Sequence, residues 1–194
     1  YIGGQVYGQE TDNHLLRGGP SVRMPGNAGL HGGLDSNDRK KFVAELNGNY
    51  SWGFDDVYKS AGVSLELSYR PFSTLNFSIE PEFEKTFNSM QYITEMSVTS
   101  GVYTPRYIFG SIDQKILSIS LRVDYNITPD LTIQYWGQPF FGSGDYNEFK
   151  YITDESAAAD TYTDRFHTYQ SSQIHYNGIE GEYFVDENLD GGDD

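Results

Sequence analysis

Between Leu117 and Ile127 the chain alternates without a miss. Leu117, Ile119, Leu121, Val123, Tyr125 and Ile127 are apolar, and Ser118, Ser120, Arg122, Asp124 and Asn126 between them are polar. A period of two places successive side chains on opposite faces, so this is a β-strand with one greasy and one wet side. A strand in a globular protein usually runs about five or six residues. One that crosses a bilayer at a tilt needs about 9–11. This strand is long enough to cross, and its wet face carries both an Arg and an Asp. The pattern points to a barrel strand with lipid or core on one side and a polar interior on the other.

Three further stretches alternate in the same way. Val63, Leu65, Leu67 and Tyr69 stand against Ser64, Glu66, Ser68 and Arg70. Leu75, Phe77 and Ile79 stand against Asn76, Ser78 and Glu80, and Leu131, Ile133 and Tyr135 against Thr132, Gln134 and Trp136. Pro71-Phe72-Ser73-Thr74 joins one pair and Thr128-Pro129-Asp130 the other. Proline presets a turn dihedral, and Asp and Ser hydrogen-bond to turn backbone. Two antiparallel hairpins are therefore expected, Val63–Tyr69 with Leu75–Ile79 and Leu117–Ile127 with Leu131–Gln138, their tight turns at the same end of a sheet. Weaker strands are expected at Ser21–Met24, Phe42–Tyr50, Met90–Met96, Arg106–Ile112 and Ile179–Val185. Pro81 and Pro139 interrupt the alternation, and each should end a strand or mark a bulge. Ser156–Asp160 reads as one helical turn in a loop. The fold class is all-β, an antiparallel meander of long hairpins forming part of an outer-membrane-type β-barrel.

Composition agrees with such a barrel without demanding it. Apolar residues make up 37% and mean hydropathy is -0.57. Membrane barrels look hydrophilic on average because only alternate residues meet lipid. Aromatics reach 15%, with 16 Tyr and 12 Phe, enough to fill a core or to girdle a membrane. No apolar run is long enough for a transmembrane helix. A net charge of -15 argues against nucleic acid as a partner. With no Cys, disulfides and thiolate metal sites are excluded. We read residues 1–194 as a single barrel segment within a longer chain, with 15–150 the best-defined β region and 151–194 a loop-rich acidic tail.

Motifs for chemistry are sparse. Asp186, Asn188 and Asp190, followed by Gly191, have the spacing that opens a calcium loop, where alternating oxygens surround a hard cation. The Glu that would close such a loop falls past Asp194, and the plain alternative is an acidic surface loop. His14, His31, His167 and His175 lack the i, i+4 spacing of a helical zinc site. Glu66, Glu80, Glu82, Glu84, Asp113 and Asp124 could supply a glycosidase pair, but 28 acidic residues single out none. They read as a hydrated face balanced in part by Arg70, Arg106 and Arg122, with Arg122 in an ion pair on the Ser120–Asp124 face. Gly142-Ser143-Gly144-Asp145 has no following helix to make a phosphate loop. No G-x-S-x-G elbow occurs. Trp52 and Trp136 suit an interfacial girdle better than a sugar platform. No catalytic residue and no cofactor other than calcium is suggested.

Several adjoining pieces carry a resemblance. They are Leu16-Arg17-Gly18-Gly19-Pro20, Ser36-Asn37-Asp38-Arg39-Lys40, Arg106-Tyr107-Ile108-Phe109-Gly110-Ser111-Ile112-Asp113-Gln114, Leu121–Leu131, Gln134-Tyr135-Trp136-Gly137-Gln138-Pro139-Phe140 and Gly144-Asp145-Tyr146. Over roughly residues 15 to 150 the chain resembles the C-terminal domain of unknown function of large Bacteroidetes-type envelope proteins. These carry an N-terminal module similar to family 9 carbohydrate-binding modules. The resemblance implies a bacterial outer-membrane location, with lipid as the partner and glycans bound through another domain. It brings no catalytic residues. The expected role is transport, anchoring or structure. A soluble all-β carbohydrate-binding or carbohydrate-active domain is the alternative, and a lipocalin-like barrel with inward apolar faces a third.

Overall fold

A computed structural model describes residues 1–99, 103–179, 181–187 and Leu189. Its strands are β1 (Ile2–Tyr7), β2 (Glu10–Asp12), β3 (Val22–Met24), β4 (Asn27–Asp35), β5 (Phe42–Gly53), β6 (Tyr58–Phe72), β7 (Leu75–Thr99), β8 (Tyr103–Thr128), β9 (Leu131–Gly137), β10 (Phe140–Ile152), β11 (His167–Thr168), β12 (Ile174–Asn177) and β13 (Glu182–Val185). Among the described residues there is no α-helix, only short 3-10 turns at Phe54–Asp56, Ser156–Ala158 and Thr163–Arg165. The fold is all-β and antiparallel. One sheet has the order β1-β4-β5-β6-β7-β8-β10-β11, with β9 also paired to β8. This path of neighbours does not close into a barrel among the described residues.

Both expected hairpins form. The β6–β7 turn is shorter than Pro71–Thr74, because Pro71 and Phe72 still belong to β6 and only Ser73 and Thr74 turn. The β8–β9 hairpin turns at Pro129-Asp130. Its register pairs Leu121 with Gly137, Val123 with Tyr135 and Tyr125 with Ile133, then shifts at Ile127, where a bulge lets Thr128 meet Leu131. The turns of the sheet lie side by side. The Asn126 amide donates to the Thr74 carbonyl at 2.8 Å, and the Arg70 amide to the Lys41 carbonyl at 2.7 Å.

The two prolines behave differently. Pro139 lies between β9 and β10, and its carbonyl accepts from the Ile119 amide at 3.0 Å. Both strands thus share one edge of β8, with the break where proline has no N–H to give. Pro81 sits inside β7, which runs through it.

The chain separates into two compact units. The first comprises Tyr1–Tyr7, Asn27–Phe87 and Asp113–Asp145, and the second Gly8–Gly26, Asn88–Ile112 and Tyr146–Asp194. The first unit is a single layer of sheet. Its few buried side chains include Ala28, Val43, Val57, Ser60, Ser68 and Ser118. The second unit has a packed core around Leu16, Val22, Met90, Tyr107, Phe109, Ile152 and Tyr169. Phe109 is wholly buried and meets Tyr92 and Phe166 edge to face at 5.7 and 6.0 Å. Gly19 lies against the Tyr107 ring, where a Cβ would come within 2.6 Å of the phenol oxygen.

Candidate lipid-facing surface and a buried polar cluster

Register sorts the side chains of the first unit. β5 and β6 pair Phe42 with Tyr69, Ala44 with Leu67, Leu46 with Leu65, Gly48 with Val63 and Tyr50 with Ala61. The positions between them pair Glu45 with Glu66, Asn47 with Ser64 and Asn49 with Gly62. β4 adds Leu34 opposite Leu46 and Leu30 opposite Tyr50. β1 adds Ile2 opposite Gly32 and Val6 opposite Ala28. A shallow groove lined mainly by Phe42, Leu67, Tyr69, Phe77, Ile79, Leu121, Val123 and Tyr135, with Ser78 and Arg122 also touching it, carries the same apolar face across β7, β8 and β9.

This face has defined ends. On β6 its apolar stretch is Ala61–Tyr69, preceded by Lys59. On β7 it is Leu75–Phe83, followed by Lys85, and on β8 it is Leu117–Tyr125, preceded by Asp113 and Lys115. On β5 it is Phe42–Tyr50, followed by Trp52, which stacks on Tyr50 at 5.6 Å and pairs with Lys59. The stretch is nine residues long on β5, β6 and β7, and on β8 it runs nine residues before Ile127 at the bulge beside the turn. Nine residues rise about 30 Å along a strand, or about 23 Å once tilted, close to the ~25 Å apolar band of outer-membrane barrels. Tyr50, Lys59, Lys85, Phe87 and Asp113 share a second hollow at the charged rim.

The apolar side chains of this belt are exposed or half-buried, and none is fully covered between Ala61 and Tyr69 or between Leu117 and Tyr125. Val63 and Tyr69 are each 48% exposed and Phe83 43%. A soluble protein covers such a face with a second layer, and contiguous apolar patches beyond a few hundred Å² mark interaction surfaces.

The opposite face is wet and cross-linked. Ser60 donates to Glu84 at 3.1 Å and Thr86 to the same carboxylate at 3.1 Å. Ser118 donates to Glu82 at 3.4 Å, and Arg122 pairs with Asp124 at 2.8 Å. Arg122 thus forms the ion pair its spacing suggests. Trp136 pairs with Arg122 in register and lies on this wet face, while Tyr135 lines the apolar groove. Trp136 therefore cannot be a girdle residue of the belt; the strand parity sends it the other way.

The polar interior of the second unit is of another kind. Arg106 pairs with Glu187 at 3.3 Å, both side chains 17% exposed, and its guanidinium lies 4.8 Å over the Tyr151 ring. Tyr151 in turn stacks with His167 and packs on Tyr169. Burial, and next the Glu187 carboxylate, push the Tyr151 phenol up to about 12. At neutral pH this phenol stays protonated, so the cluster supplies no base or nucleophile from it. Raising a folded-state pKa stabilises the fold fully below the unfolded value near 10, a contribution lost as pH rises from about 10 through about 12. Absorbance titration should find the Tyr151 phenol among the last to ionise, and Tyr151→Phe should remove that late component and flatten the stability curve between pH 10 and 12. A phenol titrating with the rest would contradict this cluster.

Asp186 donates its backbone N–H to the Gln173 carbonyl at 2.9 Å, beside the Arg106–Glu187 pair. Asn188 and Asp190 lie outside the described residues. Among the described residues no three His, Asp or Glu are grouped to hold a metal. His31 lies near Tyr1, His167 on Tyr151 and His175 on Phe184, so these histidines are dispersed. No local pattern announces the Arg106–Tyr151–Glu187 cluster, whose members are far apart in the chain.

Fold and surface together define a class: an all-β antiparallel protein whose first unit is a sheet with a wet face and a bounded apolar belt. The chain belongs to the family described as a domain of unknown function, DUF5916, whose model matches residues 6–182. Searches of curated proteins and of solved structures each found no match.

Proposed function

We propose that this chain is a segment of a bacterial outer-membrane β-barrel. The apolar belt contacts lipid, the wet face lines the interior, and the role is passage or anchorage without catalysis. The observation that carries this reading is the uncovered nine-residue apolar stretch repeated on neighbouring strands and ending in Lys59, Lys85 and Lys115. Lipid is the covering layer that suits a face of this height. Barrel closure then requires the open edges to pair with further strands, since unpaired backbone does not persist in hydrocarbon. The parent protein would bind glycans through another domain.

Residues 1–194 contain no Cys, so within this segment a cysteine introduced into a Cys-free background of the parent protein reports on one site. Single cysteines along Leu117–Tyr125 in the parent protein, labelled with a polarity-sensitive dye in bilayers, should alternate strictly between lipid-like and water-like emission, with brominated lipid quenching only the former. Fractionation of the parent protein into outer membranes should accompany that pattern. A monodisperse protein without detergent, with its apolar alternates facing inward so that Leu117, Leu121 and Tyr125 escape quenching by brominated lipid, would replace this reading with the soluble carbohydrate-binding one.

A further inference from the structure

The short-turn end of the first unit gathers positive charge in an acidic protein. A cleft between the β4–β5 and β6–β7 connections is lined by Asp38, Arg39, Lys40, Lys41, Arg70, Pro71, Phe72 and Ser73. It holds four of the 13 Lys and Arg residues of a chain with net charge -15. The only acid lining it is Asp38. None of the four cations makes an ion pair among the described residues, where the pairs are Lys59–Asp56, Arg106–Glu187 and Arg122–Asp124.

The cleft is also built. The Asn37 carbonyl and side chain accept from the Lys40 and Arg39 amides at 3.1 and 2.9 Å, shaping the turn. Ser36 and Ala44 close its base with reciprocal bonds of 2.9 and 2.8 Å. Lys41 donates its ammonium to the Pro71 carbonyl at 2.9 Å, and Arg70 donates to the Asn76 side chain at 3.3 Å. Two cations are thus fixed by neutral acceptors, and the Arg39 and Lys40 side chains have no hydrogen bond of their own among the described residues.

We propose that this cleft binds a phosphate group, and that the phosphate is that of an anionic lipid headgroup. A guanidinium fork and ammonium groups match phosphate oxygens, and clustered basic groups are drawn to an anionic membrane surface. The cleft lies where the apolar belt ends at Phe42 and Tyr69, and Phe72 on its wall is 67% exposed. The choice of lipid as the source rests on the belt meeting the bilayer.

The test uses the parent protein in maltoside micelles, titrated with phosphatidylglycerol, phosphatidylcholine or inorganic phosphate and read by native mass spectrometry. Phosphatidylglycerol should be retained at least tenfold better by the wild type than by Arg39→Gln/Lys40→Gln/Lys41→Gln/Arg70→Gln, and the preference should shrink with salt. Arg39→Gln/Lys40→Gln alone, which breaks no hydrogen bond of the fold, should show a loss of severalfold. Lys59→Gln/Lys85→Gln at the other rim should show none. Equal retention by wild type and variants would overturn the site. Inorganic phosphate binding as tightly as the lipid would overturn the lipid source. Micelles keep the assay readable even if labelling shows that the belt does not face lipid, so the two failures are distinguishable.

Discussion

Leu121→Arg in the parent protein should cost about 2–4 kcal/mol of stability in a phospholipid bilayer, whereas Ser120→Arg should stay within about 0.5 kcal/mol. Leu121 is the midpoint of the Leu117–Tyr125 stretch and lines the apolar groove. Ser120 is one residue away and points to the wet face. Leu65, midpoint of Ala61–Tyr69 and register partner of Leu46, should repeat the effect against Ser64. A soluble apolar core would also resist charge at Leu121, so depth provides the discrimination. Leu117→Arg, at the rim beside Lys115, should cost only about 0–1 kcal/mol if lipid covers the belt, because an arginine there snorkels to the interface. Denaturant unfolding in vesicles measures all of these. Equal costs at Leu117 and Leu121 would exclude a bilayer-depth gradient, and equal costs at Ser120 and Leu121 would exclude the facing itself.

Arg165→Met should destabilise the second unit by about 3–5 kcal/mol. Arg165 is 2% exposed and is the largest fully buried side chain described. It donates to the Ala159 carbonyl at 2.8 Å, the Asp160 carbonyl at 2.9 Å and the Arg23 carbonyl. One guanidinium thereby closes the loop of Ala157–Arg165 upon itself and ties it to β3. Removing it strands three carbonyl acceptors, each worth about 1–3 kcal/mol when buried without a donor. Lysine keeps the charge but lacks the planar fork, so Arg165→Lys should fall between wild type and Arg165→Met. The bonds run to neutral carbonyls, so the loss should change little with salt, unlike that of an exposed ion pair. Denaturant unfolding with limited proteolysis of the 153–169 loop would measure it. A cost below about 1 kcal/mol for Arg165→Met would mean that water replaces the guanidinium.

The belt was legible because period two is a local property. Leu117–Ile127 states its own faces, and a two-residue turn such as Pro129-Asp130 leaves its neighbour little choice but to pair. The Gly-rich Asn27–Asp38 segment gave no such signal. Gly29, Gly32 and Gly33 carry no side chain to alternate, and β4 forms because β5 and β1 offer ladders on both sides. The length of β7 and β8 was hidden for a different reason. Met90–Met96 and Arg106–Ile112 read as separate strands, yet they continue Leu75–Phe83 and Leu117–Tyr125. Alternation stops where the surroundings change, since Tyr107 through Ser111 are buried on both faces and need no polar side.

Sequence alone therefore determined the strand class, the two hairpins and the division into a greasy and a wet face, because each depends on residues two apart or joined by one turn. Tertiary structure decided what lies far apart in the chain. It brought Arg106 to Tyr151 and Glu187, Arg165 to the Arg23 carbonyl, and Arg70 to the Arg39–Lys41 turn. Side-chain direction follows from local backbone geometry, whereas the partner a side chain meets is set by long-range strand pairing and loop closure.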